Sequence, residues 1–153
     1  MAHARRKFME ALENDKGRAE YVLAEIQKLY AIERHIQDNA LSAEDKLNYR
    51  LSNAKPILVS LKQWMLNAYQ EVLPASLIGK ALHYSLQRWD RLSLYAEIAI
   101  LHIDNNPVEN SIRPVALGRK NYLFAGSHKA AQRAAMFYSL LATCKNHLIN
   151  PYD

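Results

Sequence analysis

Apolar residues recur at helical spacing along most of this chain, and runs of strict alternation are scarce. Leu47, Leu51, Ile57, Leu58, Leu61 and Met65 make one such series, and Leu77, Ala81, Tyr84 and Leu86 make a second. Ala130, Ala134, Phe137, Leu140, Leu141 and Leu148 give the last helix a broad apolar face. Breaks are expected at residues 14–17 and 38–39 and at the turn formed by Leu73, Pro74, Ala75 and Ser76. Ser42, with Asp45 three residues on, has the form of a helix cap, and Ser127 suits the start of the final helix. Pro56 is expected to kink or split the helix that contains it.

Two segments read differently. Ile98, Ala99, Ile100, Leu101, His102 and Ile103 are rich enough in β-branched residues for a short strand, and Tyr122, Leu123, Phe124 and Ala125 suggest another. The expected fold class is therefore mainly α, with one or two short strands near the C-terminal end.

Between these segments runs Asp104, Asn105, Asn106, Pro107, Val108, Glu109, Asn110, Ser111, Ile112 and Arg113. Asn106 suits a cap, Pro107 the first helical position, and Glu109 the place from which a side chain reaches back to the cap amide. Arg113 follows one turn later on the same face. A capping box and an ion pair explain both residues without any chemistry. Pro114 is expected to end or kink this helix before Gly118 closes it.

The neighbouring residues add a composite signature. Leu117, Gly118, Arg119, Lys120, Asn121, Tyr122, Leu123, Phe124, Ala125, Gly126 and Ser127 follow, and the chain opens with Ala2, His3, Ala4, Arg5, Arg6, Lys7 and Phe8. With Gly79, Lys80, Ala81, Leu82, Trp89 and Asp90, these stretches resemble the C-terminal half of the IS66-type insertion-sequence transposases, a group of the DDE enzymes. The resemblance covers nearly the whole chain, in order. It implies that residues 1–8 end an upstream core segment, that residues 9–95 form a helical insertion, and that residues 96–153 return to an incomplete RNase H-like core, all in one compact unit.

The same resemblance implies that Glu109 is the last acid of the DDE triad and a metal ligand, with Mg²⁺ or Mn²⁺ as cofactor. The two preceding Asp residues belong upstream of the opening segment and are not expected among these residues. Strand cleavage and transfer use two divalent ions to activate the attacking oxygen and stabilise the leaving one, so several carboxylates must converge. Glu109 supplies one ligand, and tight metal binding by this chain alone is not expected. Asp104, five residues away across a helix start, is a poor substitute.

Charge fits a polyanionic partner. Lys and Arg number 20 against 15 Asp and Glu, a net charge of +5 with an isoelectric point near 9.3. Arg113, Arg119, Lys120, Arg5 and Arg6 are the candidate contacts to DNA, the partner that the resemblance implies as element ends. A solvated helix face or turn explains the same cations. The lone Cys144 excludes an internal disulfide and a Cys-based zinc cluster, fits a reducing cytoplasm and reads as a small core thiol. Trp64 and Trp89 read as core residues rather than base-stacking platforms; His3 has no second His or acid three or four residues on to share a metal, His83 and His102 read as partly buried or surface residues, and His128 lies at a helix start. No apolar run is long enough for a membrane span.

Two functions remain open on this reading. One is a fragment of a DDE transposase, catalytically inactive alone. The other is a non-catalytic helical remnant that binds DNA or a protein partner. Apolar faces left uncovered would favour self-association.

Overall fold

The computed structural model describes residues 1–104, 106–122 and 124–151. It divides the chain into two compact units, Met1–Asp104 and Asn105–Asp153, a boundary that the sequence reading of one compact unit did not anticipate.

The first unit is built on an antiparallel pair of long helices, α2 (Lys16–Asp38) and α3 (Ala43–Gln70). The loop between them has a definite form. The Ala40 N–H bonds the Gln37 carbonyl and the Leu41 N–H bonds the Ile36 carbonyl, which closes α2 with Ala40 in the left-handed region at φ 46°. Ser42 then opens α3, its Oγ accepting from the Asp45 N–H at 3.1 Å while donating to the Asp45 carboxylate at 2.7 Å. At the other end of α2, Asp15 accepts from the Arg18 N–H at 3.1 Å. Helix α3 runs unbroken through Pro56, against the expectation of a split. Pro56 and Ser52 both face solvent, so the Ser52 carbonyl that proline leaves without a backbone donor is open to water.

Two shorter helices, α1 (Ala2–Glu10) and α4 (Leu77–Gln87), pack on this pair and on each other, and α5 (Trp89–Ser93) follows. Phe8, Val22, Ile26, Leu29, Leu58, Leu61, Met65, Leu82 and Trp89 form the core. Ser76 caps α4 by accepting from the Gly79 N–H at 3.1 Å. A Cβ at Gly79 would collide with the Leu73 carbonyl oxygen, so the close turn into α4 requires glycine there.

The buried stripe of α3 is Arg50, Ala54, Leu58, Leu61, Met65 and Ala68, which puts a cation at a core position. Leu51, one residue later, is exposed instead. Arg50 is fully buried and uses its whole guanidinium. Nε and Nη2 donate to the Glu33 carboxylate at 2.8 and 2.5 Å. Nη1 donates to the carbonyls of Tyr95 (2.8 Å) and Ile98 (3.2 Å), and Nη2 also reaches the Leu101 carbonyl at 3.0 Å.

This arrangement corrects the expected strand at residues 98–103. Residues 94–96 form a 3₁₀ turn, and 98–103 are irregular. An isolated strand leaves both edges without hydrogen-bond partners. Here the Ile98 and Leu101 carbonyls of the segment, with that of Tyr95 just before it, turn onto Arg50 instead. The second expected strand fails as well: Tyr122 ends a helix, Leu123 is outside the described residues, and Phe124 lies in a bend. Among the described residues no strand occurs, so the short strands of an RNase H-like core are replaced by a helical architecture.

The second unit contains α6 (Asn106–Tyr122) and α7 (His128–Asn146), which pack on each other. Helix α6 continues through Pro114 and Gly118, which therefore neither end nor close it. Gly126, at φ +78°, turns the chain before Ser127, whose Oγ caps α7 by accepting from the Ala130 N–H at 3.2 Å. The apolar series of α7 is present but uncovered: no described residue of this helix is buried, and Phe137 is 64% exposed. Cys144 is half-buried rather than a core thiol. No described helix is long and apolar enough to cross a membrane.

Breaking a buried ion pair by removing one partner leaves the other charge uncompensated, at a cost of about 3–5 kcal/mol. Glu33→Ala is expected to destabilise the chain by about that amount in urea denaturation. A loss under about 1 kcal/mol, the range of exposed pairs, would contradict the role given to Arg50.

Candidate functional site

Glu109 stands in the first turn of α6, and both it and Arg113 are exposed. At 100° per residue, Glu109, Arg113, Ala116 and Lys120 fall on one face of the helix. That face sets an acid and a cation one turn apart, with a small residue and a second cation beyond. Arg119 lies on the flank of the same helix, exposed like Lys120. Both occupy the last turn, where cations complement the helix dipole. Lys120 stands roughly 16 Å along the axis from Glu109. The expected cap by Asn106 and Pro107 falls on side chains outside the described residues.

Arg5 and Arg6 belong to the first unit, on α1, and both are exposed. Ala4 and Phe8 turn into the core, so the chain segregates its basic run to the outer surface of the helix. The candidate DNA contacts are thus divided between the units, three on α6 and two on α1.

Asp104 ends the first unit with its position fixed from α2. The Tyr30 hydroxyl donates to the Asp104 carboxylate at 3.2 Å. One residue earlier, Ile103 is buried, and its carbonyl accepts from the Met1 amine at 2.9 Å. Burial first, then the Asp104 charge and the hydrogen bond to it, push the Tyr30 phenol up to about 12. Burial together with the Glu33 charge also pushes the Tyr95 phenol up, and its hydroxyl has no hydrogen-bond partner among the described residues. Sequence reasoning missed Tyr30 and Arg50. The available signal was a polar residue at a core register of a long helix.

The aromatic residues follow the packing reading. Trp89 is buried, and Trp64 packs partly buried against the core with its ring 4.3 Å from that of Tyr21. His3, His83, His102 and His128 are exposed. Among the described residues no group of three or more His, Cys, Asp or Glu side chains is placed to hold a metal ion.

The arrangement therefore offers one acid on an exposed helix face with cations beside it, joined in sequence to a helical body with its own core. Comparison with known proteins gives this pattern a family. The model described as "Transposase IS66 family" matches residues 1–133, from α1 into the first turns of α7. The chain belongs to the IS66 transposase family. This IS66 family chain is 33% identical over 163 aligned residues to the uncharacterized protein y4hP of Sinorhizobium fredii (strain NBRC 101917 / NGR234), covering 98% of this chain and 29% of that protein. To the uncharacterized protein y4jD of the same strain it is 32% identical over 153 residues, covering 99% of this chain and 30% of the relative. The chain thus spans less than a third of the length of these IS66-like relatives. No solved structure matches it.

The Tyr30 phenol has an optical consequence. In a titration of tyrosinate absorbance, Tyr30 and Tyr95 are expected to ionise after the exposed tyrosines, and Tyr30→Phe should remove amplitude from the late part of the curve. Because its folded value lies above the ordinary phenol value of 10.0, Tyr30 contributes stability below pH 10 that is lost as pH rises toward about 12. Loss of amplitude near pH 10 in the Tyr30→Phe variant would contradict the assignment.

Proposed function

We propose that this chain works as part of a DDE-type transposase that cleaves and joins DNA strands, and that Glu109 is one acid of its metal-binding set. The observation that carries the reading is the exposed face of α6, on which Glu109 is followed by Arg113 and Lys120. Family membership through residue 133 supports it, since the match includes this helix. In-line phosphoryl substitution needs carboxylates to hold divalent ions and cations to hold phosphates. The α6 face carries both types.

The described residues do not by themselves fit a Mg²⁺ site, because no three ligand-type side chains converge. Glu109 would be one ligand, and the others would come from the rest of an IS66-type enzyme. Residues 1–153 alone are accordingly proposed to be inactive. Arg113, Arg119 and Lys120 are proposed to contact the DNA backbone, as are Arg5 and Arg6, where they would position rather than read sequence.

A second reading has its own observation. Met136, Phe137, Leu140 and Leu141 of α7 are all exposed, an apolar face of the kind that marks protein contacts. A non-catalytic, partner-binding role would use that face and leave Glu109 without function.

Replacing the aligned region of y4hP by this chain separates the two. The chimera is expected to nick plasmid DNA in the presence of Mg²⁺ or Mn²⁺, and Glu109→Gln is expected to return nicking to background. Activity that survives Glu109→Gln, or metal-dependent nicking by residues 1–153 alone, would overturn the proposal.

A further inference from the structure

The first unit pairs many of its cations with carboxylates. Arg18 meets Asp15 and Glu71 at 2.8 and 2.7 Å, Lys28 meets Glu25 at 2.6 Å, Lys55 meets Glu97 at 3.1 Å and Lys62 meets Asp90 at 3.6 Å. An open groove of about 760 Å³ beside Tyr21 and Trp64 has Lys55 and Lys62 in its walls, both already paired in this way. That groove offers no net positive charge from its lysines to an anion.

The seam between α1 and α4 is different. Lys7 of α1 places its Nζ 4.9 Å from the centre of the Tyr84 ring, and Arg88, at the end of α4, places its Cζ 4.3 Å from the same centre. Among the described residues neither head group is in an ion pair with a carboxylate. The two heads are therefore no more than about 9 Å apart, on the order of a Debye length at physiological salt, so their repulsion is only partly screened. Lys80 stands one turn before Tyr84 on the same stripe of α4 and is exposed. Helix α4 carries no Asp or Glu, and α1 carries only Glu10, at its far end.

We propose that this seam, formed by Lys7, Lys80 and Arg88 around the Tyr84 ring, binds the phosphate backbone of duplex DNA. The ring holds two cations side by side through its π face, each interaction within the usual reach of about 6 Å. Like charges gathered without a carboxylate repel each other, and a polyanion relieves that repulsion. Both cations sit against ring faces or edges of Tyr84, which leaves phosphate contact, rather than base stacking, as the mode of binding. Lys7 lies on the flank of α1 that meets α4, whereas Arg6 lies on its outer side, so the seam draws on a different cation of α1 from the Arg5 and Arg6 pair. The inference rests on the reading of DNA as the partner of this chain, and adds a second contact surface to it.

The test uses fluorescence anisotropy of a labelled DNA duplex of arbitrary sequence, across a salt titration, with the 153-residue chain. Each backbone contact contributes about 0.9 to the slope of log affinity against log salt. The Lys7→Gln, Arg88→Gln double variant is expected to bind more weakly with a slope reduced by about 2. The charge-preserving Lys7→Arg, Arg88→Lys variant should retain the parent slope, which separates loss of charge from loss of fold. Arg119→Ala, Lys120→Ala serves as the comparison for α6. A slope lost at α6 and kept at the seam would overturn this inference alone. A slope lost at the seam and kept at α6 would uphold it and count against the α6 contacts. Failure of the parent chain to bind the duplex at low salt would overturn both.

Discussion

The buried Arg50 guanidinium is the interaction on which the order of the first unit depends. A charge taken out of water is costly unless it is paired and every donor is satisfied. Arg50 meets that condition with Glu33 on the facing helix and three carbonyls from a segment 45 to 51 residues away. One side chain thus ties α2 to α3 and substitutes for a sheet along residues 95–101. Exchanging it for a hydrophobic residue would leave those carbonyls without donors, so the ion pair here sets the path of the chain as well as adding stability.

That path leads to Asp104, where the Tyr30 hydroxyl and the buried Ile103 hold the end of the first unit. Beyond it, the second unit is built on a different principle. Helix α6 is continuous and α7 is capped by Ser127, yet α7 buries none of its described residues. The contrast matters for function. The first unit has a core of its own, and its outer surfaces are free to carry charge. The second presents Glu109 and its neighbouring cations on one helix, while Met136, Phe137, Leu140 and Leu141 of the other face water. The chain spans less than a third of the length of its IS66-like relatives.

Much of the helical frame was legible in the residues. Ser42, Ser127 and the turn before Ser76 announced helix starts because a hydroxyl at a cap bonds locally and needs no distant partner. The breaks at residues 14–17 and 38–39 were equally local. Leu51 misled because the core stripe is fixed by the facing helix, which selected Arg50 one residue earlier. The β-branched stretch from Ile98 to Ile103 misled because strand propensity has no effect without a neighbouring strand. Pro114 and Gly118 did not stop α6, since both lie in a helix largely open to water, where an unpaired carbonyl can be solvated. At the candidate site, Glu109 and Arg113 were found from spacing and resemblance. The Tyr84 seam could not be, because it depends on two helices that lie far apart in sequence.

The first unit is an ordered body with its own core, clamped by Arg50, while the second carries its candidate acid on helices that bury none of their described residues. Amide hydrogen exchange under native conditions tests it most directly. Helices α2 and α3 are expected to exchange only on global unfolding, with α6 and α7 opening at much lower free energy. Equal, global protection of all four helices would contradict it.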